Sequence, residues 1–153
     1  MKPNKNGFYP RHCGTKPLKY DINNTLDIIL FMLHMNVFET RLRNFMNDVN
    51  AYLERNESFH YGLSEGFLAT GEGFIEHGVP SHELIKIIRE RNPKTREELL
   101  DFMRKNYHIC LVTHEEDERL RKLKLIKSMP DDWKHWSERY ERAGIKIIVQ
   151  PGK

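Results

Sequence analysis

Apolar residues recur at helical spacing through the first half of the chain. Leu26, Ile29, Leu30, Leu33 and Val37 form one stripe, widened by Ile28, Phe31 and Met32. A stripe this wide predicts a central, largely buried helix. Asp21, Asn23 and Asn24 supply residues that start helices. His34 falls within the pattern and reads as a core or interface histidine. A second run follows at Phe38, Leu42, Phe45, Met46, Val49 and Leu53. No Pro or Gly interrupts residues 24–54, so one long helix and two helices bent near Asn36 fit the pattern equally.

Past Gly78, the Pro80-Ser81 pair marks a new start. A helix over residues 82–91 buries Leu84, Ile85, Ile87 and Ile88, and Asn92-Pro93 ends it. Thr95-Arg96-Glu97-Glu98 reads as a capping box opening a helix that carries Leu99, Leu100 and Met103 and ends near Asn106. His108 to Thr113 has the composition of a short strand. Thr113-His114-Glu115-Glu116 is a second capping box, and its helix has an acidic first turn and a basic end, as the dipole favours. Leu120, Leu123 and either Leu125 or Ile126 are its inward positions. A last helix is expected from Met129 to Ala143, with Trp133, Trp136 and Tyr140 on one face and Gly144 as its stop. Ile145 to Val149 reads as a second strand, expected to lie parallel to the first. The fold class is therefore α+β and mainly α-helical: a helical bundle with a small two-stranded C-terminal β element.

Between these regions lies a glycine-punctuated segment. Glu65-Gly66-Phe67-Leu68-Ala69-Thr70-Gly71 is echoed by Glu72-Gly73-Phe74-Ile75-Glu76-His77-Gly78. Phe67 and Phe74 stand seven apart, which puts them on one face if the repeat is helical. Each glycine costs a helix about 1 kcal/mol relative to alanine. Four of them imply that something approaches this backbone closely: a neighbouring helix, a nucleic-acid backbone or a second subunit. The Gly71-x-Gly73 pair is not a phosphate loop, because the Lys-Ser/Thr that would follow is missing.

Composition narrows the setting. A chain of 153 residues suits one globular domain, here 21–153, preceded by a basic extended arm at 1–20 that carries Pro3, Pro10 and Pro17. No apolar run is long enough to span a bilayer, and residues 1–20 lack a signal-peptide core. Two cysteines, Cys13 and Cys110, make no disulfide framework, so a cytoplasmic setting is expected. The net charge of +3 is mild, but it is unevenly spread. Lys16 and Lys19 in the arm, and Arg119, Arg121, Lys122 and Lys124 near the C-terminus, are the candidate phosphate-binding residues. Tyr107, Trp133, Trp136 and Tyr140 supply aromatic rings for stacking on bases or anchoring a protein partner.

The densest candidate chemistry is Arg55-Asn56-Glu57-Ser58-Phe59-His60, where a cation, an amide and a titratable base share six residues at a helix end. A guanidinium forks onto two phosphate oxygens, and imidazole titrates near neutral pH. The pattern Arg55-Asn56-x-x-x-His60 resembles the active motif of the HEPN ribonuclease superfamily. The resemblance implies a helical bundle, a homodimer in which two motifs meet, and metal-independent endoribonuclease activity without a cofactor. It assigns Arg55 to phosphate charge, Asn56 to orientation, and His60 to proton transfer at the 2′-OH or the leaving oxygen. The C-terminal β element departs from that bundle.

Two other classes compete with it. One is a non-catalytic RNA- or DNA-binding or protein-interaction module, regulatory or inhibitory, separable by how steeply its binding falls with salt. The other is a metal nuclease using His77, His82, His108 and His114. There, the string His108…His114-Glu115-Glu116 resembles the tail of an HNH nuclease but lacks that motif's Asn–His spacing and its preceding Asp-His. The capping box accounts for Thr113 to Glu116 without a metal, so no metal ligand is assigned.

Overall fold

The computed structural model describes residues 21–35, 37, 39–56 and 61–150, and not the side chains at 54, 55, 61 and 150. The two apolar stripes form α1 (Ile22–Met35) and α2 (Glu39–Asn56), two helices rather than one. Leu26, Ile29 and Met32 of α1 are buried, as are Leu42, Met46, Val49 and Leu53 of α2, and the two helices pack together. Val37 N–H donates to Met32 O, and Arg89 donates to Val37 O at 2.9 Å, so the break between the helices has side-chain support without Pro or Gly. α1 is amphipathic rather than central. Phe31 and Met35 are more than half exposed, and His34 is on the surface.

The helix-start and helix-stop signals hold further along. α4 (Ser81–Arg91) ends at Asn92 in the left-handed conformation. α5 (Arg96–Asn106) is capped by Thr95, which accepts from Glu98 N–H at 3.1 Å. Glu98 reaches back past the position a capping box requires, to Lys94 N–H at 2.7 Å. α6 (His114–Lys122) has the full box, with Thr113 and Glu116 exchanging hydrogen bonds.

The β structure departs from expectation. The sheet has four strands in the order β2-β3-β1-β4, where β1 is Tyr61–Ser64, β2 Phe74–His77, β3 Ile109–Val112 and β4 Ile147–Gln150. The two strands expected to pair with each other do not. β1 lies between them, parallel to β3 and antiparallel to β4, while β2 pairs antiparallel with the other edge of β3. The elements therefore form an α+β structure around a mixed sheet, not a helical bundle with a C-terminal appendage. Strands β1 and β2 flank α3 (Glu65–Thr70), which ends at Gly71 with a φ of 69°. The two halves of the glycine repeat thus differ in structure: Phe67 is helical and Phe74 opens a strand, so they share no helical face.

Strand β3 is buried along its whole length and divides two apolar clusters. Ile109 and Leu111 face Leu63, Ile75, Phe67 of α3 and Tyr107. Cys110 and Val112 face the main core, built from α1, α2, α4, α5 and α6. The period of two in β3 thus sorts its residues between two sides. No described helix is long and apolar enough to cross a membrane.

The last expected helix is mostly absent. Residues 123–137 are turns and irregular chain, and α7 covers only Glu138–Arg142. Lys124 and Asp132 adopt positive φ, at 60° and 54°, conformations incompatible with a continuous helix. Leu123, expected inward, is exposed.

Candidate nucleic-acid interface

The irregular segment 123–137 carries few backbone hydrogen bonds of its own, and a buried arginine supplies donors to it. Arg139 of α7 is fully buried. Its Nη1 donates to Leu125 O at 2.9 Å and Ile126 O at 3.1 Å. Its Nη2 donates to Glu76 Oε2 at 2.9 Å, to Tyr140 Oη at 3.0 Å and to His77 O. The guanidinium therefore ties the segment to β2. Burial raises the Glu76 carboxyl above its ordinary value, and the Arg139 charge draws it back. Cys110, beside Tyr140, is pushed up to about 12 by burial and stays a neutral thiol.

Glu138 holds the end of the segment. Its Oε1 accepts from the N–H groups of Lys134 at 2.8 Å and His135 at 2.9 Å, which lowers its carboxyl below the ordinary range. This turn places Trp136 against the sheet. A Cβ at Gly78 would lie 2.9 Å from Trp136 Cε3, and one at Gly62 would lie 3.3 Å from Trp136 Cη2. The two glycines form a slot for the indole. His108, at the start of β3, stacks on it with centroids 4.9 Å apart and planes at 17°. His135 lies 5.5 Å from the same ring, and Tyr140 meets it edge-on at 6.3 Å.

Trp136, His108 and His135 line a cleft of about 280 Å³ with Val79, Lys105, Asn106, Trp133 and Lys134. Two lysines, two histidines, an asparagine and two tryptophans line it, and among the described residues no carboxylate does. Lys105 pairs with Asp101 at 2.7 Å, but both are exposed. Such a surface pair is worth about 0–1 kcal/mol and yields readily to a stronger anion. Lys105 and Asn106 also border a second groove of about 370 Å³, lined by Ile87, Arg91, Pro93, Glu98, Asp101 and Phe102.

No protein-family model, curated protein or solved structure matches the chain.

The expected site residues fare unevenly. Arg55 lies in the last turn of α2, but its side chain is outside the described residues, as is all of His60. Asn56 is exposed and donates to Tyr52 O at 3.0 Å, which closes the end of α2. Lys16 and Lys19 also lie outside the described residues. In the C-terminal basic run, Arg119 donates to Gly144 O at 3.2 Å and approaches Glu116 at 3.8 Å. Arg121 pairs with Asp117 at 3.0 Å and Glu118 at 3.2 Å, so both arginines hold structure. Lys122 and Lys124 are exposed. Among the stacking aromatics, Tyr107, Trp136 and Tyr140 are buried, with Trp136 already stacked on His108, whereas the half-buried Trp133 lines the cleft and can offer a face to a base.

The four histidines of the metal alternative do not converge. His82 pairs with Glu39, His114 packs on Phe74, His77 lies by Tyr107 and His108 stacks on Trp136. No cluster of three or more His, Cys, Asp or Glu residues that could hold a metal ion occurs among the described residues. The glycine segment is approached closely, but by the protein itself. Gly66 meets Glu116, Gly73 meets the Val112 carbonyl, and Gly78 meets His108 and Trp136. Lys105, Asn106, Lys134 and His135 were not among the residues expected from the sequence. The run Trp133-Lys134-His135-Trp136 was the available signal, since it places cations between rings.

Proposed function

We propose that the protein binds single-stranded nucleic acid, RNA foremost, through the cleft around Trp133 and Trp136. One observation carries this reading: stacking surface and cationic side chains share an opening with no carboxylate among its described lining residues. An aromatic face accepts any base, and the lysines track the phosphates. The surplus of basic residues over the whole chain agrees in sign. The HEPN resemblance implied a bundle, and the mixed sheet is not one. The binding reading therefore stands without Arg55 and His60.

The test is fluorescence anisotropy with labelled single-stranded RNA across a salt series. Lys105→Ala and Lys134→Ala should each weaken binding and reduce the log–log salt slope by about 0.7, the value per phosphate neutralised on a single strand. Trp133→Ala should cost about 1–3 kcal/mol, the range for one stacked base. RNA binding that survives all three substitutions would take the site away from this cleft, and absence of salt-dependent RNA binding would replace this reading with a protein partner.

A further inference from the structure

We propose that His135 is a proton-transfer residue for RNA cleavage in this cleft, held in its basic tautomer by Ser137 and Glu141. The proposal rests on the nucleic-acid reading and goes beyond it to an activity. The support is a chain of three side chains. Ser137 Oγ lies 2.6 Å from Glu141 Oε1, and His135 Nδ1 lies 2.8 Å from Ser137 Oγ. A serine hydroxyl has one hydrogen. At 2.6 Å it belongs to the carboxylate, as a charge-assisted bond. The serine oxygen can then only accept, so Nδ1 of His135 carries the proton. Nε2 is left with its lone pair. The Ser137 N–H lies 3.3 Å from Nδ1 and favours the opposite tautomer, but it is the longer and weaker contact.

His135 is exposed and borders the cleft, whereas Nε2 of His108 is already engaged at Lys105 O, 3.0 Å away. His108 is therefore a stacking wall, and His135 is the base. In the reaction, Nε2 takes the proton of a ribose 2′-hydroxyl. The 2′-oxygen bonds to the adjacent phosphorus and the P–O5′ bond breaks. Water protonates the departing 5′-oxygen, and the imidazolium returns its proton to the hydroxide. The products are a 2′,3′-cyclic phosphate and a 5′-hydroxyl, with no oxidant or further reactant. Lys105 and Lys134 stabilise the charge that builds on the phosphoryl oxygens. Ser137 and Glu141 are positioning residues, because they act through the ring.

The experiment uses the full chain with a labelled single-stranded RNA and the DNA of the same sequence. Wild type should cleave the RNA alone and leave cyclic-phosphate ends detectable by mass spectrometry. His135→Ala should lose about 10²–10⁴-fold in rate, the range for one general base, while its RNA affinity changes less than about threefold. Glu141→Gln and Ser137→Ala should keep affinity but cleave more slowly. Wild type that binds RNA without cleaving it overturns this proposal and leaves the binding reading standing. Equal cleavage by His135→Ala, or equal cleavage of DNA, also overturns it. Absence of binding overturns both.

Discussion

Replacing Arg139 with methionine is the sharpest test of how the cleft is held. The methionine side chain can occupy most of the volume but cannot donate. Two backbone carbonyls, at Leu125 and Ile126, would lose their side-chain donor, His77 O would keep only the Tyr140 hydroxyl at 3.2 Å, and Glu76 would lose its partner. An unsatisfied buried acceptor costs about 1–3 kcal/mol. Breaking one side of a buried ion pair costs about 3–5 kcal/mol. The terms overlap, because Glu76 can protonate: burial already raises its carboxyl. Arg139 Nε is itself buried without a hydrogen-bond partner, so the guanidinium brings its own desolvation cost. A net loss of about 3–5 kcal/mol is expected, out of a total stability of about 5–15 kcal/mol. For a chain of this length that is roughly 6–20 °C in Tm.

Urea unfolding followed by circular dichroism and by tryptophan emission would measure it. Arg139→Met/Glu76→Met should be less destabilised than the sum of the two single variants, because it leaves no unpaired charge. Arg139→Lys should fall between, since one ammonium cannot span the same acceptors as a fork. A loss under about 1 kcal/mol in Arg139→Met, below the cost of even one orphaned acceptor, would refute this guanidinium as the tie between β2 and the 123–137 segment. So would strict additivity in the pair.

Gly62→Ala should destabilise the protein by about 1–3 kcal/mol, as overpacking does. The new methyl would meet Ile147 Cγ2, with Cys110 Sγ at 3.0 Å and Trp136 Cη2 at 3.3 Å; unchanged urea midpoint and tryptophan emission would count against the indole slot. At the α1–α5 contact, the hydrogen bonds from Arg96 hold the Asp27 carboxyl below its ordinary value. A depressed folded pKa means stability that is present above the unfolded value, about 4, and lost as pH falls through the folded one. The Tm gap between wild type and Asp27→Asn should therefore be widest near neutrality and close in acid; a gap constant with pH would remove this bridge as a source of stability.

What could be read from the sequence was whatever is decided locally. The Thr113 and Glu116 box depends on residues a single turn apart, and it formed as read. The stripes of α1 and α2 are likewise local patterns. Strand β3 was legible because four adjacent apolar residues are buried on both faces. β1 and β2 were not. Each has four residues, and β1 contains a glycine and a serine, β2 a glutamate and a histidine. Their identity as strands comes from pairing with β3, which lies far along the chain from either. The cleft shares that difficulty, since Val79, Lys105, His108 and Trp133 meet only through the sheet.

Arg139 shows the deeper reason. In the string Glu-Arg-Tyr-Glu-Arg it reads as one more solvated charge. It is buried because an irregular segment presents carbonyls that no neighbouring strand or helix can satisfy. That same irregularity turns Lys134 and His135 outward beside Trp136 instead of winding them into the helix that the apolar spacing suggested.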